Sequence, residues 1–400
     1  MNEHIPTLRQ QSERSSVQTD NERRFLRTLD DLAQSPPLDD EYYASFARGL
    51  RDAYLEPDGN VRSMMDQAMS QLDSSTSHRI KQALAVLQYP RYEDPDYPYS
   101  YDKPERWSGV ITEIAADPVK RKEFIDDYVG QPLDSIVVGR YKAVCLAAAV
   151  YGERFGEAPT LIDYGTSIGI GVKQLAMRME FSRLKKISFE DTSLTERDKA
   201  LVESQIHIAT STNPGRKFGR ILGVDIQPEP TPERSHRTRS NSHYPIELRN
   251  PANLERFDTS MTAETNDVEF AWNIDMAAAE VRLPYIPNGG FDLGFGSTWW
   301  YPYKNKPEML KWILHNCLQP LAPNGVLLEQ EFGTPDPSRP GGIYFRDNWH
   351  PPDEPYPYQT MAYDKKCPEK GFQTLFSWTD GRATNIRVSR YASALLLENI

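Results

Sequence analysis

Apolar positions along this 400-residue chain fall into two regimes. From Glu22 to about Gln88 they recur at steps of three and four: Phe25, Leu26, Leu29 and Leu32, then Tyr43, Phe46 and Leu50, then Ile80, Ala83, Leu84 and Leu87. That spacing is the stripe of amphipathic helices, interrupted at Pro36-Pro37 and at Pro57-Asp58-Gly59. Helical spacing continues over Trp107 to about Asp134 and over Val137 to Tyr151, where Val144, Ala147, Ala148 and Tyr151 share a face. Beyond this point the pattern changes. Short apolar runs at Leu161–Asp163, Lys186–Glu190, Ile221–Ile226, Val268–Asp275, Phe291–Ser297 and Val326–Phe332 alternate with helical stretches. The helices are marked by Val172, Leu175, Ala176 and Met179, by Ser193 to about Thr210 with a cap at Thr195–Asp198, and by Met309, Leu310, Ile313, Leu314, Cys317 and Leu318 behind Pro307-Glu308. Phe372–Trp378 and Arg382–Arg390 alternate at period two about a Thr-Asp-Gly turn, which predicts an antiparallel hairpin. Strands alternating with helices predict an α/β fold with a Rossmann-like sheet.

The same pattern sets the expected organisation. Residues 1–20 are polar and expected to be disordered. Residues 21–135 form a helical N-terminal subdomain carrying a Tyr- and Pro-rich loop, Tyr89 to Arg106, which has a cousin at Pro351 to Tyr363. Residues 136–400 form the Rossmann-like domain, with a flexible insertion at about 227–250 rich in Pro, Glu, Arg and Ser.

The stretch Leu161-Ile162-Asp163-Tyr164-Gly165-Thr166-Ser167-Ile168-Gly169-Ile170-Gly171 organises the second half. It reads as a strand ending in a carboxylate, a tight glycine turn, and a helix. In an open α/β sheet this is where a ligand meets strand ends and a helix N-terminus. A P-loop is excluded, since no Gly-Lys-Ser/Thr closes the turn. A dinucleotide G-x-G-x-x-G is broken by Ser167. Gly165-Thr166-Ser167-Ile168-Gly169 does satisfy the G-x-S-x-G elbow of serine hydrolases, with Ser167 as nucleophile, Asp225 or Asp275 as acid and His350 as base. Against that reading, no convincing strands precede the turn.

Asp163, Gly165, Ser167 and Gly169 also match the turn of class I S-adenosylmethionine-dependent methyltransferases, and the alternation over roughly 140–390 resembles that superfamily. The resemblance implies a Rossmann-like seven-stranded mixed sheet whose last strand runs antiparallel, with S-adenosylmethionine as cofactor. It places Asp163 and the backbone of Gly165, Thr166, Ser167 and Gly169 at the cofactor's amino-acid part. Asp225, followed by Ile226, falls at the ribose hydroxyls, which one carboxylate can accept together. Asp275, with Ile274 and Met276, falls at the adenine, and Gly296 and Ser297 beside the sulfonium. Asp191 competes with Asp225, because it lies about 22 residues beyond the turn, closer to the usual spacing of about 20. More distantly, Val138 to Ala176 with Gly223-Val224-Asp225-Ile226-Gln227-Pro228 is similar to an uncharacterised bacterial family of methyltransferase-like proteins, which implies no substrate.

Composition narrows the partners. A formal net charge of −11 argues against nucleic acid or an anionic membrane as partner. No run approaches the roughly 18 apolar residues of a membrane span, and the polar N-terminus lacks the centre of a secretion signal. Cys145, Cys317 and Cys367 form no CxxC pair, so a cytoplasmic protein without a bound metal is expected. The resemblance implies a small-molecule acceptor, for which Trp299, Trp300 and Tyr301, with Tyr303, would provide an aromatic wall. Glu331, Tyr301 and His350 are the candidates for a general base. A non-catalytic protein that keeps the nucleotide pocket for regulation stays open as an alternative.

Overall fold

A computed structural model describes residues 8–36, 41–71, 76–92, 104–130, 139–156, 158–179, 184–210, 218–232, 234–235, 251–339, 341–346, 356–379 and 385–398. Contacts divide the chain into two units, Met1–Ile136 with Pro232–Glu255, and Val137–Thr231 with Arg256–Ile400. The first unit is built from helices Leu8–Gln34, Glu41–Tyr54, Asn60–Met69, Thr76–Tyr92, Pro104–Ala116 and Pro118–Gly130. Their stripes close on Leu29, Phe46, Leu50, Met64 and Ile111, with Trp107 edge-on to Phe46 at 5.2 Å. The first helix already starts at Leu8, inside the stretch 1–20 expected to be disordered. Gln, Glu and Arg there are good helix formers, and the scarcity of apolar residues conceals it. Most of the Tyr/Pro-rich loop (93–103) and most of the insertion (236–250) lie outside the described residues.

Among its described residues the second unit is a nine-stranded sheet in the order β2-β11-β10-β9-β6-β5-β1-β3-β4, numbered along the chain. The strands are β1 Leu161–Tyr164, β2 Lys186–Phe189, β3 Ile221–Val224, β4 Val268–Ala271, β5 Phe291–Ser297, β6 Leu321–Glu331, β9 Tyr358–Asp364, β10 Phe372–Trp378 and β11 Asn385–Val388. A separate antiparallel pair is formed by β7 Gly333–Pro335 and β8 Ile343–Phe345. The run β4-β3-β1-β5-β6 is parallel throughout. This is an α/β fold with a large mixed, mostly parallel-cored sheet, and the expected strands all form. Two features exceed the expected seven strands. After β6 the chain returns through a long connection that carries β7 and β8, and then through two short ones, so β9, β10 and β11 form an antiparallel meander. The run at Lys186 does not join the parallel block either. It pairs with β11 at the far edge. The Pro323-Asn324-Gly325 turn survives as a register jump between the pairs Phe291–Leu321 and Leu293–Val326.

Alternation places the two cores. Leu161, Leu293, Phe295, Val326 and Leu328 pack on one face against helices Lys142–Val150, Glu196–Thr210 and Arg390–Glu398. Ile162, Tyr164, Leu222, Val224 and Leu327 pack on the other, against Ile313 and Cys317 of helix Pro307–Leu318. Polar groups fix the joints. Thr195 and Asp198 exchange the two bonds of a capping box, at 3.1 Å and 3.2 Å, as the sequence predicts. Lys365 Nζ donates to the Leu318 and Leu321 carbonyls at 2.9 Å and 2.6 Å, where a cation suits a helix C-terminus. Arg154 grips Asp364 with two parallel bonds of 2.8 Å and 2.7 Å. Both side chains of that pair are mostly buried. Arg154→Ala therefore strands the Asp364 charge and is expected to cost about 2–4 kcal/mol of stability in urea unfolding. An unchanged midpoint would show that solvent replaces the pair.

Candidate functional site

The carboxyl ends of β1, β3, β4, β5 and β6 share one edge of the sheet, and the site is assembled there. Leaving β1, the turn takes left-handed backbone at Gly165 (φ 74°), Ser167 (φ 57°) and Gly169 (φ 79°). Glycine carries that conformation without penalty, and Ser167 carries it with an anchor. The Ser167 N–H donates to Asp225 Oδ2 at 2.7 Å, and the Gln227 N–H donates to Asp225 Oδ1 at 2.8 Å. The serine thus occupies the middle position of the turn because the carboxylate at the end of β3 holds it. The end of β4 is drawn to the same place, since the Ile274 N–H donates to the Asp225 carbonyl at 2.9 Å. Gly169 has a second constraint. A Cβ there would come within 2.5 Å of the Phe270 ring.

Asp163 lies buried below the turn and accepts the Tyr141 hydroxyl at 2.9 Å. Burial pushes its pKa up to about 7. The Tyr141 and Thr166 hydroxyls and Arg140 pull the other way, and Asp225 adds to the rise. Asp163 and Asp225 therefore feel each other's charge, and Tyr141 mediates the approach. The tyrosine ring fills the space that a side chain on Gly171 would need, with its edge 2.0 Å from where a Cβ would stand. Neither Tyr141 nor Arg140 is marked by any motif. They follow from the third glycine only once the helix is docked.

The expected residues separate in this geometry. Asp163, Asp225 and the backbone at Gly165–Gly169, with Thr166, are gathered together. Asp275 follows β4 at the same edge, is exposed, and accepts the Ala277 N–H at 2.9 Å. Ile226 is exposed and Ile274 half-buried. Met276 is buried in the core beside it, and its carbonyl receives Asn316 Nδ2 at 2.9 Å. Asp191 is removed from the site altogether. It follows β2, which runs opposite to the parallel block at the far edge of the sheet, and its carboxylate faces Arg390 at 3.9 Å. Sequence spacing misleads there because β2 is not the neighbour of β1.

At the end of β5, Ser297 shares a 2.8 Å hydrogen bond with the Tyr358 hydroxyl. Thr298 has φ 59°, an outlier for a β-branched residue, and the turn it makes lays Trp299 back over the strand ends. The Trp299 Cβ would lie 3.4 Å from a Cβ on Gly165, and its Nε1 2.0 Å from one on Gly296. Trp300 is not an acceptor wall. It is buried among Trp299 and Phe372, and its backbone N–H donates to Glu331 Oε1 at 2.9 Å. Tyr301 is half-buried and receives Lys304 Nζ at 3.0 Å. Tyr303 feels the Asp275 charge. Glu329, Gln330 and Glu331 are fully buried in β6, between β5 and β9. Burial pushes Glu331 up to about 8 against three backbone N–H groups that favour its ionised form. Three successive polar residues in a central strand are the sequence signal that could have found Glu329.

The hydrolase arrangement is not assembled among the described residues, and His350 lies outside them. The described histidines of this unit, His207 and His315, sit in the last turns of helices that lead back to the amino ends of strands. Among the described residues no cluster of His, Cys, Asp and Glu is placed to hold a metal ion, and the three cysteines are unpaired. No described helix is long and apolar enough to cross a membrane.

Two outcomes test this geometry. Asp163 and Glu331 both have folded pKa values, about 7 and about 8, above their ordinary ones. Their contribution to stability is complete below the ordinary carboxylate range and is lost as pH rises through those values. Urea midpoints are expected to fall from about pH 5 to about pH 8, and Glu331→Gln to flatten part of that slope. A variant slope equal to the wild-type slope would remove Glu331 from the account. Gly171→Ala is expected to displace Tyr141 and cost about 1–3 kcal/mol, read by the same unfolding curves.

No family model and no curated protein matches the chain. Among solved structures, it is similar to Streptomyces venezuelae DesVI (11% identity, 66% of this chain and 84% of that one, TM-score 0.25). It is also similar to an S-adenosylmethionine-dependent methyltransferase from Mesorhizobium loti (12% identity, 48% and 63%, TM-score 0.20). A third is the [4+2]-cyclase SpnF (14% identity, 52% of each chain, TM-score 0.23). The chain spans about half the length of the first solved structures it matches. S-adenosylmethionine-dependent methyltransferases recur among these neighbours, at identities that speak only to the fold and at TM-scores that add nothing to the strand order described above.

Proposed function

We propose that this protein is an S-adenosylmethionine-dependent methyltransferase that transfers the methyl group in line to a small-molecule acceptor. One observation carries the reading: a left-handed glycine turn leaves the central parallel strand and is held from below by Asp163 and from the side by Asp225. A turn of this kind presents backbone N–H groups and bare Cα atoms to a ligand. The donor set fits the cofactor. Gly165 and Gly169 leave room for its amino-acid part. Asp225 accepts the Ser167 and Gln227 N–H groups, one on each oxygen, and a carboxylate oxygen can accept a ribose hydroxyl beside such a bond. Asp275, with Ile226 and Ile274, offers an exposed carboxylate and apolar surface for an adenine.

When bound, the cofactor supplies an already activated methyl group, so the protein's share is positioning and exclusion of water. Trp299 covers the ends of β1 and β5 and keeps them dry. Tyr301 and Tyr303, beyond it, form the approach for the acceptor. Glu331 and Tyr301 are the described groups available to hold a proton, Glu331 as a buried acid of raised pKa and Tyr301 through its hydroxyl.

Calorimetric titration with S-adenosylmethionine tests the reading. Saturable one-to-one binding is expected. Asp225→Asn should weaken it at least about tenfold, the loss of a charge-assisted bond pair. Absence of binding to the wild-type chain would overturn the proposal.

A further inference from the structure

Glu329 is the most exceptional side chain of the second unit. It is fully buried, and neither carboxyl oxygen has a hydrogen bond of good geometry among the described residues, the Trp299 and Trp300 indole N–H groups being the donors near it. It stands opposite Gly296 in the β5–β6 register, and its Oε2 lies 2.7 Å from where a Cβ on Gly296 would be. The groups around it are two indoles and further acids. Trp299 and Trp300 each bury an indole N–H without a well-formed bond, though both lie near enough to favour the ionised carboxylate somewhat. Glu331 on the same strand and Asp163 on β1 repel its charge, and Cys317 of helix Pro307–Leu318 and Tyr164 of β1 face it as neutral groups. No cationic side chain among the described residues offsets this setting. An orphaned buried carboxyl costs several kcal/mol of desolvation if charged, so it is kept as the neutral acid until a cation arrives.

Trp299 lies beside both glycines, its Nε1 2.0 Å from where a Cβ on Gly296 would stand and its Cβ 3.4 Å from where one on Gly165 would stand. The same indole therefore connects the glycine turn with the buried acid. Thr298, in its strained left-handed conformation, is the joint on which that indole is carried.

We propose that Glu329 is the counter-charge for a cationic centre of the bound cofactor, with the indoles of Trp299 and Trp300 flanking the acid. The inference rests on the cofactor reading above. A buried carboxylate pairs with a cation once the cation has displaced the acidic proton to solvent. S-adenosylmethionine carries two such centres, the sulfonium and the α-ammonium. Binding is then coupled to proton release: Glu329 passes from carboxylic acid to carboxylate as the cation enters, and the proton goes to the buffer.

The experiment is calorimetry at pH 7 in two buffers of different ionisation enthalpy, with S-adenosylmethionine, S-adenosylhomocysteine and adenosine as probes. S-adenosylmethionine should release about one proton more than adenosine, and Glu329→Gln should abolish that excess. The variant keeps the shape of the neutral acid, so its binding of adenosine is expected to stay as it is in the wild type. In the wild type, affinity for S-adenosylmethionine should rise up to about tenfold per pH unit below the acid's titration, and in Glu329→Gln that rise should flatten. Excess release with S-adenosylmethionine alone assigns the partner as the sulfonium. Excess with S-adenosylhomocysteine as well assigns it as the ammonium. If Glu329→Gln fails to fold, the wild-type comparison of the three probes still decides. Equal proton release for S-adenosylmethionine and adenosine, or an excess that survives in Glu329→Gln, would overturn the proposal while leaving cofactor binding intact. Failure of all three probes to bind would remove both.

Discussion

The fold of the second unit depends on the left-handed backbone between Tyr164 and Ile170. Three residues within five take positive φ, and only two of them are glycine. Ser167 is kept in that conformation by the Asp225 carboxylate, so the turn after β1 and the end of β3 are one structural unit. Gly169 adds close packing on Phe270 of β4, and Gly171 admits the Tyr141 ring that carries a hydroxyl to Asp163. A substitution at any of these points reaches all of them, because each is in contact with the next.

The carboxyl edge is also where the protein tolerates its most expensive groups. Asp163, Glu329 and Glu331 are buried within the reach of one another's fields. Elsewhere the same chain pairs its buried charges, as in the two-bonded Arg154–Asp364 pair, or spends them on helix ends, as Lys365 does. The contrast separates charges paired with opposite charges, which hold the fold, from acids at a strand-end edge that neutral donors alone satisfy or leave orphaned, the position at which α/β sheets bind ligands. Strain accompanies them. Thr298 holds a backbone conformation that costs a β-branched residue, and its consequence is the placement of Trp299 over that edge.

The sheet also separates a parallel half from an antiparallel half. The five parallel strands set their carboxyl ends side by side, and the meander β9-β10-β11 with β2 extends the sheet away from them. Antiparallel strands need no crossover helices, so this half adds core directly, while the connection from β6 to β9, which carries β7 and β8, leaves from the carboxyl edge and brings Phe345 to Tyr301. The bulky residues Trp378, with its 2.8 Å bond to Thr360, and Phe376 beside it belong to this half.

The sequence by itself determined the elements and the centre of the site. Apolar spacing at three and four marked the helices of the first unit, runs ending in aspartate marked β1, β3 and the end of β4, and the glycines marked the turn. These features are local, fixed by periodicity and by the few residues that accept positive φ. Tertiary structure alone decided which strands are neighbours. It sent β2 to the far edge and Asp191 with it, drew Trp300 and Met276 into the core, and brought Arg140, Tyr141 and Glu329 to the acids of the turn. Those outcomes depend on strand order and on which face of a strand meets a helix. Both are set by pairing and burial summed over the whole sheet, and no window of sequence contains that sum.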